Sequence, residues 1–159
     1  MARGYTLVEL LLVLVLTVIL AIDVASHAPG PSLNAAAVAS QVEAAVRLAQ
    51  IDSMTKGAPY CVTFGAASYT LATQDCTQPV TDPLTGQATV TLPAGMTLGI
   101  SGVPTQNVQF TGNGMPYYAN GATPTEAQVL AVPPATVSVT NGSATSSFAI
   151  TPQTGAVVP

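Results

Sequence analysis

Cations are scarce in this chain. Its 159 residues include three Lys and Arg against seven Asp and Glu, and charged residues make up only 6% of the whole. Soluble domains ordinarily carry about 25%. No base follows Lys56, where the remaining charges are Asp75, Asp82 and Glu126. A nucleic-acid-binding face needs Lys or Arg to displace counterions from phosphates, so most of the chain is a poor candidate for that class. There is one His, His27, and no Trp. With His27 far from both cysteines, neither a zinc site nor a Ser/His/Asp or Cys/His catalytic arrangement has its parts. Asp75 and Asp82 stand in a Pro-rich loop. Hard-oxygen calcium coordination there is conceivable, and a solvated loop is the simpler reading. The sequence therefore leads us to expect no metal, no cofactor and no enzymatic activity.

What is plentiful is small and apolar. Hydrophobic residues make up 48% of the chain. Beyond the N-terminal segment the sequence is rich in Thr, Ala, Val, Gly and Pro, so its surface must be solvated by hydroxyls and amides. That suits an extracytoplasmic or filament-forming protein. In an oxidising compartment Cys61 and Cys76 can form one disulfide. Closing so short a loop stabilises by roughly 3 kcal/mol in the chain-entropy model. Two buried free thiols are the alternative.

The chain opens MARGYTLVELLLVLVLTVILAIDV. From Leu10 to Ile22 no residue is charged, and only Thr17 is polar. A helix needs about 20 apolar residues to span a bilayer core, and the stretch from Tyr5 to Ile22 approaches that with one interruption, Glu9. Neither Gly nor Pro falls between Tyr5 and Ser26, so a continuous helix is expected. Three readings compete: a cleaved secretory signal with its small-residue site between Ala21 and Ala28, an ordinary membrane anchor, and a signal cut ahead of the apolar run. Glu9 separates them. A lone carboxylate in an apolar setting is expensive unless paired. A new amino terminus on a neighbouring chain would pair it, if cleavage fell just before Glu9. Asp23 fits the headgroup layer at the far edge of the same helix.

Gly4-Tyr5-Thr6-Leu7-Val8-Glu9-Leu10 resembles the class III signal of type IV pilins and type II secretion pseudopilins. In that pattern a Gly, usually preceded by a base such as Arg3, is followed by an aromatic residue, Thr or Ser, two aliphatics, Glu and Leu. Tyr5 stands where the family usually has Phe. The resemblance implies cleavage by prepilin peptidase after Gly4 and N-methylation of Tyr5. It also implies that Glu9 pairs with a neighbouring N-terminus during assembly. The implied partners are the peptidase, other pilin or pseudopilin subunits, an inner-membrane assembly platform, and the bilayer before assembly.

Beyond this segment, Ala28-Pro29-Gly30-Pro31 breaks the helix, and Ser32 is a suitable N-cap for the next. Residues 32–57 read as an amphipathic helix. Val38, Val42, Ala45, Leu48 and Ala49 form its stripe, with Ile51 and Met54 extending it. Glu43 and Arg47 can pair four apart, and Lys56-Gly57 ends the helix. From residue 58 the pattern is that of strands. Hairpins are predicted across Gly65–Ser68, across Pro93-Ala94-Gly95 and at Asn141-Gly142. Further strands are expected at 108–110, 129–132 and 156–158, with residues 117–126 as loop. Asn141-Gly142-Ser143 also fits a glycosylation sequon, and we read it as a turn. Tyr117-Tyr118 could be an exposed adhesive pair, although core or edge packing is the plainer role.

The fold expected is α+β: a transmembrane helix over residues 5–26 behind a leader of residues 1–4, a break at 27–31, an amphipathic helix, and an antiparallel sheet or β-sandwich domain over 58–159. "AVRLAQIDSMTKGAPYCVTF", "VQFTGNGMP" and "FAITPQTGAVV" resemble segments of the H-type pseudopilins and FimT-type minor pilins. FimT-like members implicated in DNA capture have bases after the last Gly. Here Gly155 is followed by Ala156, Val157, Val158 and Pro159, which disfavours DNA binding by that route. A minor pilin or pseudopilin at the bacterial inner membrane, with its β domain periplasmic, is the function this implies. A major pilin, adhesin or DNA-uptake protein and a membrane-tethered periplasmic enzyme are the alternatives.

Overall fold

The computed structural model describes residues 7–26, 31–73, 76–103, 105–118 and 134–159. The expected strand at 129–132, Asp75, and all but Pro31 of the expected break at 27–31 lie outside those residues. The chain divides into two compact units, Met1–Gly30 and Pro31–Pro159.

The described residues of the first unit form the helix α1, Leu7–Ser26. Its sequence, rich in Leu, Val and Ile, has neither Gly nor Pro to break it. Among the described residues no helix is long and apolar enough to cross a membrane, the described side chains of α1 ending at Val18.

The second unit begins with α2, Pro31–Lys56. The helix starts one residue ahead of Ser32, which is therefore inside it and does not cap it. Pro31 takes the first helical position, where its missing N–H would have had no partner and its fixed φ already suits the helix. At the other end Gly57 adopts φ +61, the left-handed conformation that closes many helices.

The strands are β1 (Tyr60–Phe64), β2 (Ser68–Thr73), β3 (Gln78–Pro79), β4 (Thr89–Thr91), β5 (Met96–Ser101), β6 (Asn107–Phe110), β7 (Pro116–Tyr117), β8 (Ala135–Asn141), β9 (Ala144–Ile150) and β10 (Val157–Val158). They form two antiparallel sheets. The first has the order β3-β2-β1-β6-β7 with β4 alongside β2, and the second has the order β10-β9-β8-β5. The α+β class and antiparallel pairing expected from the sequence hold.

The core lies where α2 meets both sheets. Val42, Ala45, Val46 and Ala49 pack with Val62, Val108 and Phe110 of the first sheet and with Val137, Val139 and Ile150 of the second. In β8 the burial alternates, with Ala135, Val137 and Val139 inside and Thr136, Ser138 and Thr140 outward, following the two-residue period of a strand. Each large aliphatic buried this way stabilises by roughly 1.5–3 kcal/mol.

The α2 stripe departs from expectation. Ile51 and Met54 are about half exposed (55% and 48%), whereas Ala35, Ala39, Val46 and Ser53 are buried. The buried stripe runs 35, 39, 42, 45, 46, 49, 53; it keeps the expected Val42, Ala45 and Ala49, with Val38 and Leu48 partly buried against the core. Small residues let the sheets approach so closely that size, not hydrophobicity alone, selects the buried face.

The hairpin expected across Pro93-Ala94-Gly95 does not form. A turn is present there, with the Met96 amide donating to Pro93 O at 3.2 Å and Gly95 at φ +85. The strands it joins enter different sheets: β4 pairs with β2, and β5 pairs with β8. Amides on both sides of the corner instead reach the β1–β2 loop, Leu92 N to Ala67 O at 2.9 Å and Leu98 N to Ala66 O at 2.8 Å. The hairpin of β8 and β9 has a two-residue turn at Gly142-Ser143, with Asn141 paired to Ala144. Gly142 has φ +61 while Ser143 is not left-handed, the type II′ pattern that suits the twist of the strands.

Cys61 on β1 and Cys76 just after β2 are joined by a disulfide, with their Cα atoms 5.2 Å apart and fifteen residues apart in sequence. It ties the sheet's central strand to the segment that leads into edge strand β3.

Candidate assembly interface

Every large aliphatic on α1 whose side chain is described is exposed: Val8, the run Leu10 to Leu16, and Val18. Over its described side chains the helix is apolar all round. Its one described polar side chain, Thr17, turns its hydroxyl back to donate to Leu14 O at 2.9 Å. Residues Val8, Leu11, Leu12, Val15 and Leu16 line one shallow groove, and Leu11, Leu14, Val15 and Val18 line another. These three- and four-residue rows are the ridges and grooves through which helices pack on one another. A helix that is apolar all round is stable only when surrounded by protein or lipid. Glu9 is the third residue of α1, in the first turn, where the helix dipole favours an acid. Gly4 and Tyr5 lie outside the described residues.

In the second unit the cations are already paired. Arg47 donates to Glu43 Oε1 at 2.6 Å and to Val157 O at 2.9 Å. Lys56 donates to Asp52 at 2.9 Å and to the Tyr60 hydroxyl at 2.7 Å. Those two hydrogen bonds, Tyr60 first, raise the Lys56 pKa. Among the described residues, then, each base sits beside an acid, a poor arrangement for gripping phosphate.

Asp82 is not on a solvated loop. It is fully buried, and its carboxylate accepts the Tyr69 hydroxyl at 3.0 Å and the Leu84 amide at 2.8 Å. Its own backbone carbonyl accepts the Gly86 amide at 2.7 Å, closing a tight turn. Burial, then the Asp82 charge and hydrogen bond, push the Tyr69 pKa up to about 12, with the Gln41 amide pulling weakly the other way. No cluster of three potential metal ligands occurs among the described residues. Tyr117 and Tyr118 are buried, not an exposed pair. Burial raises the Tyr118 pKa, and its hydroxyl has no hydrogen-bond partner among the described residues.

No family model matches the chain, and no curated protein sequence matches it. Two solved structures do match by shape. The minor pseudopilin EpsH of the type 2 secretion system of Vibrio cholerae is 15% identical, with a TM-score of 0.54, over 78% of this chain and 94% of that one. The type IV minor pilin FimU of Pseudomonas aeruginosa is 13% identical, with a TM-score of 0.52, over 76% and 84%. The fold is that of the minor pilins and pseudopilins.

Within this minor-pilin fold, two segments distant along the chain converge on the last turns of α2. Gln50 Nε2 donates to Gly114 O at 3.0 Å, in the β6–β7 turn, and to Thr154 O at 2.9 Å, in the β9–β10 turn. Gly112 lies against the backbone of Gly57, where an added Cβ would come within 3.0 Å. Gly155 has φ +67, and a Cβ there would meet Gln50 Nε2 at 2.6 Å and Gly114 O at 2.9 Å. Of the three segments that resemble the H-type members, the first holds the helix end and the other two form a clasp around it. Sequence reading did not find Gln50, because both its partners are backbone carbonyls that are distant along the chain.

Proposed function

We propose that this chain is a minor pilin or pseudopilin, made as a membrane-inserted precursor and assembled through its N-terminal helix into a type IV pilus or type II secretion pseudopilus. The observation that carries this reading is the pairing of a minor-pilin β domain with α1, a helix whose described aliphatics are all exposed. Its role is structural, not enzymatic. Prepilin peptidase cleaves after Gly4, and the new amine on Tyr5 is methylated. Before assembly the segment from Tyr5 to Ser26 lies in the bacterial inner membrane with the β domain in the periplasm. At the assembly platform it leaves lipid for the helices of other subunits, and Glu9 meets the amino terminus of a neighbour. Such an exchange of one apolar environment for another costs little hydrophobic energy, so packing and the ion pair can direct it. Among the family's members the H-type pseudopilins and FimT-like minor pilins are the best fit.

Terminal mapping of the mature protein by mass spectrometry tests this reading. A methylated Tyr5 terminus is expected in cells with an active prepilin peptidase, and a Gly4→Leu precursor should remain uncut. A mature chain beginning after Ala21, or at Met1, would contradict it.

A further inference from the structure

The Asn141-Gly142 turn has a chemistry that assembly leaves unused. When Gly follows Asn, the Gly amide nitrogen can attack the Asn side-chain carbonyl carbon. Ammonia leaves and a succinimide ring forms, which water opens to aspartate or isoaspartate. Overall, one amide and one water become one carboxylic acid and one ammonia, so water is the only co-reactant. Gly favours the step because no Cβ hinders the nitrogen or restricts the peptide. In a folded chain the outcome depends on whether that nitrogen is free and its peptide can move.

The structure describes two such pairs. In Asn113-Gly114, Gly114 is buried, and its amide donates to Thr111 O at 2.7 Å. The Met54 side chain lies directly over its Cα. This nitrogen must be released by local opening before it can attack. In Asn141-Gly142 the Gly is exposed, nothing lies within 4 Å of where its Cβ would stand, and among the described residues no hydrogen bond holds its amide. A third pair, Asn120-Gly121, lies outside the described residues.

We infer that Asn141 is a site of spontaneous conversion to aspartate and isoaspartate, and that Asn113, in the same dipeptide, is protected by the fold. Conversion places a new carboxylate at the tip of the second sheet. Isoaspartate also adds a backbone carbon at the edge of a two-residue turn, disturbing the pairing of Asn141 with Ala144 on one side and with Met96 on the other. This inference is independent of the assembly reading.

The test is a time course on the full-length chain in detergent, at mildly alkaline pH in heavy-oxygen water, followed by peptide mapping. Each newly formed carboxylate takes up the label. Labelling at Asn141 is expected to be at least about tenfold faster than at Asn113, the factor a modest local-opening cost imposes. In denaturant the two rates should converge. Equal labelling of the two sites in the folded chain would overturn the inference. So would an Asn141 that stays unlabelled while the denatured chain converts.

Discussion

Asp82 and Tyr69 show what a single buried pair contributes. The carboxylate sits out of water with the Tyr69 hydroxyl and the Leu84 amide as donors. Removing one donor leaves a buried charge under-satisfied, which costs about 1–3 kcal/mol. Tyr69→Phe should therefore lower the stability of the β domain by that order in a denaturant titration at neutral pH. The pair also sets an alkaline limit. With the folded Tyr69 pKa raised from 10.0 to about 12, the unfolded chain releases its phenol proton in this window while the folded chain keeps it. Tyr69 thus contributes stability that is fully present below pH 10 and lost as pH rises through 12. After allowance for solvent screening, the loss is about 1–2 kcal/mol. The decline attributable to this residue should vanish in Tyr69→Phe; an unchanged alkaline slope would reject the assignment.

At the scale of elements, the clasp at the end of α2 explains why glycines recur in segments that do not touch along the chain. Gly155 needs both its left-handed φ and its missing side chain, whereas Gly142, with a similar φ of +61, has open space around it. Gly155→Ala should therefore destabilise by about 2–4 kcal/mol, and Gly142→Ala by about 1 kcal/mol, since only the first adds overpacking to backbone strain. Thermal melts of the two variants measure the difference; equal shifts would mean that the clasp contributes nothing. The sequence displayed elements better than their partners. The existence of α2, the end signal at Gly57 and the Asn141-Gly142 turn are all local, because a few neighbouring residues determine each; which face of α2 is buried is not. The strands β3 and β7 are two residues long and have no pattern of their own. The Pro93-Ala94-Gly95 turn is locally a hairpin turn, but tertiary pairing sends its arms to different sheets. Asp82, in the loop between β3 and β4, read as solvated because its hydrogen-bond partner Tyr69 stands thirteen residues earlier, on β2.

The whole molecule pairs a globular unit that has its own core with a helix whose described aliphatics are all exposed. The β domain covers its core with α2 and pairs its described bases internally. The exposed aliphatics of α1 demand cover, which lipid or other helices can supply equally well. Hydrophobicity alone cannot then move a subunit from membrane to filament; a polar group that lipid serves badly and a neighbour serves well can. Under the proposed function Glu9 is such a group. Against a neighbouring amino terminus it would exchange an unpaired carboxylate for an ion pair in a water-poor setting, where breaking one partner costs several kcal/mol. Glu9→Leu should accordingly insert into membranes as well as the parent. Its recovery in sheared filaments or pseudopili should fall by about tenfold or more, the equivalent of roughly 1.4 kcal/mol. Glu9→Asp, which keeps the charge on a shorter stem, should recover part of that loss. Equal recovery of Glu9→Leu and parent would leave packing of the aliphatic rows as the whole driving force, and the carboxylate would then be explained by the helix dipole alone.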